Sequence, residues 1–140
     1  METQSNSISN DEHWAIVRKR YKLLECIGKG TFGRVVKATN REGGRKVAIK
    51  QIKLDLQNKY YLRCLKREIL NLRKLSSCDQ NIFTNKLLEV ILPEAFEKAS
   101  DLGTNIKSND ENFHLNINEF THLFLVLEYE QSDLLKLLKN

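Results

Sequence analysis

The sequence predicts an α+β domain, a five-stranded antiparallel sheet with one main helix. Three observations carry the prediction. Three short runs of apolar and β-branched residues follow one another across tight, glycine-containing connections. A segment free of glycine and proline, rich in helix formers, comes next. Two further apolar runs of strand length complete the pattern.

The elements take the following order. Residues 1–20 read as a disordered leader, polar and aperiodic up to about His13, with Trp14 near its junction to folded structure. YKLLECI from Tyr21, RVVKAT from Arg34 and KVAIKQI from Lys46 are three strands, the last two joined by a turn through Gly43 and Gly44. Successive strands with short connections form an antiparallel meander. The helix covers 58–75, with Asn58 as its cap. Its row Tyr61, Leu65, Glu68, Leu72 and Leu75 puts a carboxylate inside an otherwise apolar stripe. KLLEVIL, ending at Pro93, and LFLVLEY from Leu123 supply the fourth and fifth strands.

Residues 94–119, between those strands, are polar and asparagine-rich. They exceed the roughly 12 to 15 residues usual for an unstructured connection, so they read as a flexible insertion, with a short helix conceivable at EAFEKAS. SDLLKLLKN reads as the first turns of another helix, without a stop signal before Asn140.

Composition narrows the function classes. An apolar content of 41% over 140 residues suits one core rather than two domains. The net charge of +5 arises from 23 basic and 18 acidic residues that read as interspersed, so it gives nucleic-acid binding little support. No apolar run has the length of a membrane span, and the opening lacks the pattern of a signal peptide, which together suggest a cytoplasmic or nuclear protein with no membrane partner. Cys26, Cys64 and Cys78 lack the close pairing of a zinc site and fit reduced thiols. His13, His114 and His122 have no ligand spacing, and no metal site is expected.

Gly28, Gly30 and Gly33 form G-x-G-x-x-G, a spacing that lets backbone N–H groups approach phosphate oxygens. In a dinucleotide-binding fold these glycines would open a helix, with an acidic residue about 20 positions on. Here RVVKAT follows, and the corresponding stretch is VAIK, without an acid. The alternative is a glycine-rich hairpin that covers ATP, for which V-A-I-K on the next strand but one is the distinguishing partner. Alternation puts Ala48 and Lys50 on one face, the alanine leaving space for adenine and the lysine reaching phosphates. Lys50 inside VAIKQI needs a counter-charge, and Glu68 in its apolar stripe needs a cation. Losing one partner of such a desolvated pair would cost about 3–5 kcal/mol. The competing reading of Glu68 is a rim carboxylate paired with Lys66 or Arg73. Tyr60 and Tyr61 beside basic residues could suggest base stacking, but on a helix they are expected to pack or lie half-exposed.

In order, IGKGTFGRVVKA, VAIK, LKREILNLRKL and FLVLEYEQSDL resemble the N-terminal lobe of eukaryotic protein kinases over 21–140, with wording most similar to the cyclin-dependent and mitogen-activated branch. The resemblance implies Ser/Thr kinase ancestry and ATP as ligand. It assigns a phosphate cradle to Gly28, Lys29, Gly30, Thr31, Phe32, Gly33, Arg34 and Val35, with Phe32 at the loop tip. Ile27 and Val35 would flank adenine, Ala48 would lie against it, and Leu127 would be the gatekeeper. Glu128 and Glu130 would offer hinge backbone groups, and Asp133 would lie near the ribose. Lys50 and Glu68 would be the catalytic pair. No H-R-D, D-F-G or A-P-E occurs in the sequence, so the catalytic base and the aspartate that holds Mg2+ in this family are missing, and the C-terminal lobe is expected to be absent. The implied partners are ATP, a protein substrate read by the missing lobe, and a cyclin-like or scaffold protein. The alternative to a truncated kinase is a non-catalytic module that binds a partner through the Glu68 helix.

Overall fold

The structure, a computed structural model, describes residues 11–31, 33–82, 84–93 and 121–130. Five strands are present: β1 (Tyr21–Gly30), β2 (Gly33–Asn40), β3 (Lys46–Lys53), β4 (Leu87–Ile91) and β5 (His122–Glu128). They form one antiparallel sheet in the order β1-β2-β3-β5-β4. The predicted meander is its first half, and β5 enters between β3 and β4. Each strand matches an apolar run of the sequence to within a few residues. The β2–β3 turn closes through the Gly44 N–H donating to the Asn40 carbonyl at 2.9 Å, with Gly44 at φ +67°, where glycine carries no side-chain penalty. The predicted insertion at 94–119 and the terminal helix from Ser132 lie outside the described residues.

Period-2 alternation divides the sheet into two differently covered faces. The row Val36, Ile49 and Val126 is fully buried on one face, joined by Ala38, Val47 and Phe124. Covering this face corrects the expected leader. Residues 11–20 are folded, as a 3-10 turn at Glu12–Trp14 followed by α1 (Ala15–Arg20). Trp14 and Val17 are fully buried and Ile16 nearly so. The Trp14 ring meets Phe124 edge-on at 4.8 Å between centroids. The polar run before Trp14 hid this role, because a single turn carries too few apolar residues for its period to show. Asp11 caps the turn by accepting from the His13 N–H. At the far end Tyr21 donates to Glu89, which also binds Arg20, and burial together with that carboxylate raises the Tyr21 hydroxyl to about 12.

The other face of the sheet packs against α2 (Lys59–Ser76), the predicted helix, with Asn58 accepting from the Tyr61 N–H at its cap. Here the stripe differs from the predicted row. Leu65 is buried with Ile52, Leu123 and Leu125, and Tyr61, Ile69 and Leu72 pack around them. Leu75 is exposed, and Glu68 stands at the edge of the contact rather than within it. A helix turning 100° per residue centres the stripe on Leu65, Ile69 and Leu72, which places Glu68 on its flank. The three cysteines are free thiols. Among the described residues no helix is long and apolar enough to cross a membrane.

Candidate nucleotide site

The site begins with the β1–β2 hairpin. Register runs from Gly28 opposite Val35 to Gly30 opposite Gly33, so the glycines occupy the end of the ladder and its tip. A register shift between Cys26 and Gly28 leaves Cys26 against the Trp14-side core, and Ile27, 45% exposed, belongs to the open face. The three glycines are not equivalent. Gly33 adopts φ +141°, and a Cβ there would lie 2.0 Å from the Gln51 carbonyl oxygen. The fold itself requires Gly33, because the hairpin lies directly on the backbone of β3. A Cβ at Gly28 would make only ordinary contact with Val35, and one at Gly30 would meet nothing within 4 Å. Packing therefore leaves Gly28 and Gly30 unexplained, and a ligand brought close to the backbone would explain both.

Beneath the hairpin, β3 and β5 supply a floor. Val35 is opposite Lys50, and Ala48 is opposite Leu127, in the rows on either side of the buried row Val36, Ile49 and Val126. Alternation thus brings Val35, Ala48, Lys50 and Leu127 to the same face, the one α2 partly covers. Lys50 Nζ lies 3.0 Å from the Glu68 Oε1. The lysine side chain is 34% exposed and the glutamate 46%, so the pair is half-solvated rather than desolvated. Its own worth is then about 0–1 kcal/mol, well below the 3–5 kcal/mol of a desolvated pair. Being accessible is what leaves the ammonium able to meet an anion. A cavity of about 360 Å³ adjoins the pair, lined by Lys50, Ile52, Asn58, Tyr60, Tyr61, Cys64, Leu65 and Glu68. Tyr61 donates to the Lys53 carbonyl at 2.7 Å, and burial, with the charge of Glu68 second, raises its hydroxyl. Tyr60 is exposed.

Several assigned residues fall elsewhere. Arg34 shares the parity of Val36 and Ala38, which turns its side chain to the Trp14 face, where it binds Asp11 at 2.7 Å. Its side chain is therefore removed from the phosphate cradle. Lys29 and Thr31 are exposed at the hairpin end. Glu128 directs its carboxylate to Arg45 at 2.8 Å, and its N–H donates to the Lys86 carbonyl. Glu130 is exposed beyond β5. Phe32 and Asp133 lie outside the described residues. Next to this region Lys37 binds Glu25 at 3.0 Å and stands over the Tyr129 ring, contacts that the sequence did not signal because they join three separate segments.

The arrangement fits a nucleoside triphosphate: backbone N–H groups at an unencumbered glycine hairpin, an accessible ammonium below it, and an apolar floor for a base. Glu68 is engaged by Lys50, and among the described residues no three of His, Cys, Asp and Glu converge to hold a metal ion.

Residues 21–140 match the protein kinase domain family. A serine/threonine-protein kinase of Kluyveromyces lactis is 29% identical over 144 residues, covering 98% of this chain and 22% of its own length. Cyclin-dependent kinase B1-1 of Arabidopsis thaliana is 32% identical over 122 residues, 87% of this chain and 33% of its own. A NUAK family SNF1-like kinase of Mus musculus is 34% identical over 99 residues, 67% of this chain and 15% of its own. The chain thus spans a third or less of the length of these relatives. The five-stranded antiparallel sheet agrees with the match, and the chain belongs to the protein kinase domain family as an N-terminal lobe near its cyclin-dependent branch.

Proposed function

We propose that this chain binds ATP between the β1–β2 hairpin and the β3–β5 floor, as the nucleotide-holding part of a Ser/Thr protein kinase. The observation that carries the reading is the Lys50–Glu68 pair at 3.0 Å, half-solvated and below a hairpin whose Gly28 and Gly30 packing does not require. The roles divide by chemistry. The Gly28–Gly30 backbone donates to phosphate oxygens, Lys50 neutralises them, Glu68 holds Lys50 in place, and Ile27, Val35, Ala48 and Leu127 meet the base. The backbone at Glu128 and Glu130 and the side chain of Asp133 complete the assignment as base and ribose contacts. ATP supplies the transferable phosphoryl group.

Within the 140 residues no group is offered as catalytic base or as Mg2+ ligand, so the chain by itself is expected to transfer no phosphate. Mg2+ and a protein substrate would then be read by residues of a C-terminal lobe, and the setting would be cytoplasmic or nuclear. Fluorescent-ATP titration of the purified chain tests the reading. Saturable binding displaced by ATP and weakened roughly tenfold or more by Lys50→Ala is expected, a loss in the range of a charge-assisted contact of about 1.5–3 kcal/mol. Equal affinity in Lys50→Ala would overturn the assignment.

A second reading, a non-catalytic module whose α2 engages a cyclin-like or scaffold partner, is favoured by one observation. The side of α2 turned away from the sheet is exposed along its length, from Lys59 to Lys74.

A further inference from the structure

Two polar contacts join α2 to β3, and their spacings agree. Glu68 Oε1 lies 3.0 Å from Lys50 Nζ, and the Tyr61 hydroxyl donates to the Lys53 carbonyl at 2.7 Å. Tyr61 and Glu68 stand two turns apart less about 20°, so they share one side of the helix, roughly 10.5 Å from each other along its axis. Lys50 and Lys53 are roughly 10 Å apart along their strand. The helix therefore rests on β3 in a register that satisfies both contacts at once.

The ion pair is a weak holder of that register, because both of its side chains are half-solvated and their attraction is screened. Tyr61 is the better anchor. Its ring packs against the buried cluster of Ile52, Leu65, Leu123 and Leu125. Its N–H donates to the Asn58 side chain at 3.0 Å, and the Asn58 N–H donates to the Asp55 side chain at 3.3 Å. The hydroxyl closes this run of hydrogen bonds back onto the last residue of β3, so the loop and the first turn of α2 form one unit. A phenylalanine would pack equally well, so the core does not explain the hydroxyl. Tyr61, Lys50 and Glu68 line the same cavity, and burial followed by the charge of Glu68 keeps the hydroxyl protonated, as a donor must be. At the other end of α2, Ser76 Oγ accepts from the Leu87 N–H at 2.7 Å and ties the last turn to β4. Glu68 stands between these two tethers.

We propose that Tyr61 is a positioning residue for the nucleotide site, its hydroxyl fixing α2 on β3 so that Glu68 holds the Lys50 ammonium toward the phosphates. The inference rests on the nucleotide reading of Lys50 and deepens it. A pair too exposed to persist by itself is made persistent by a neutral hydrogen bond two turns away on the same side of the helix. Tyr61 touches no phosphate in this role and acts through Glu68 alone. With the hydroxyl removed, the first turn of α2 is freed to slide along β3, and Glu68 no longer meets Lys50 at a fixed distance.

The test is a double-mutant cycle on fluorescent-ATP affinity in the full 140-residue chain, using Tyr61→Phe, which keeps the ring and its packing, and Glu68→Ala. Each single variant should weaken binding by roughly twofold to fivefold. Placing 4-aminophenylalanine at position 61, which restores an N–H donor, should recover most of the loss. In the Glu68→Ala chain, Tyr61→Phe should change affinity by less than about 1.5-fold, because the residue it acts through is gone. A merely structural role would give the same loss in both backgrounds, in step with the fall in unfolding free energy, and that result would overturn the proposal. So would a Tyr61→Phe or Glu68→Ala chain that binds as tightly as wild type. Lys50→Ala separates the two levels of the argument. Unchanged affinity in Lys50→Ala overturns the nucleotide site and the role of Tyr61 with it, whereas a loss in Lys50→Ala beside an additive cycle overturns the role of Tyr61 alone.

Discussion

The Asp11 carboxylate binds the Arg34 guanidinium at 2.7 Å, joining the turn before the sheet to the second strand of the glycine-rich hairpin. Arg34 follows Gly33 directly, so the contact holds the hairpin from the side opposite the proposed nucleotide. Asp11→Asn keeps an acceptor for the His13 N–H while removing the charge, which separates capping from the ion pair. It should lower stability by about 1 kcal/mol or less, given that both side chains remain partly exposed. A urea double-mutant cycle with Arg34→Gln should return a coupling of that size, measurably smaller at high salt.

Trp14 is fully buried against Phe124, and its indole N–H has no partner among the described residues. Trp14→Ala should therefore cost about 3–5 kcal/mol in chemical unfolding, since it opens the core shared with Val36, Ile49 and Val126. Trp14→Phe should cost distinctly less, because the ring contact survives in part and an unpaired buried donor is removed.

The glycines should separate folding from binding. Gly33→Ala sets a Cβ against the Gln51 carbonyl oxygen in a backbone conformation that disfavours side chains, so both stability and nucleotide affinity should fall. Gly30→Ala meets open space and should leave the unfolding free energy within about 1 kcal/mol of wild type while weakening nucleotide binding. Circular dichroism melts read alongside nucleotide titrations check the contrast.

His122 lies against His13, with ring centroids 4.2 Å apart. Burial, with His13 second, lowers its pKa below the usual value of 6.5, and Asp11 opposes that shift while Lys53 and Arg34 add to it. Folding then favours the neutral ring. The contribution is present above pH about 6.5 and is lost as pH falls toward the folded value. Unfolding midpoints measured between roughly pH 7.5 and 5 should decline more steeply for wild type than for His122→Gln. Parallel declines would contradict this.

The strands were legible because each is a short apolar run between turn residues, and α2 because 18 residues without glycine or proline show their period. Lys50 and Glu68 were legible as a pair because each is an anomaly in an apolar pattern. What the sequence concealed depends on three-dimensional proximity. The turn at Trp14 is too brief to have a period, and Arg34 reads as a cradle residue until strand parity assigns it to the other face. The exposure of Glu68 is a question of where a helix meets a sheet, and a row of residues along the chain cannot decide a rotation of one position.

The most direct test of the nucleotide site is backbone amide NMR of the full chain titrated with ATP. Perturbations centred on Gly28, Gly30, Val35, Ala48, Lys50 and Leu127, lost in Lys50→Ala, are the predicted result. Perturbations confined to the exposed cations of α2 and indifferent to Lys50→Ala would contradict it.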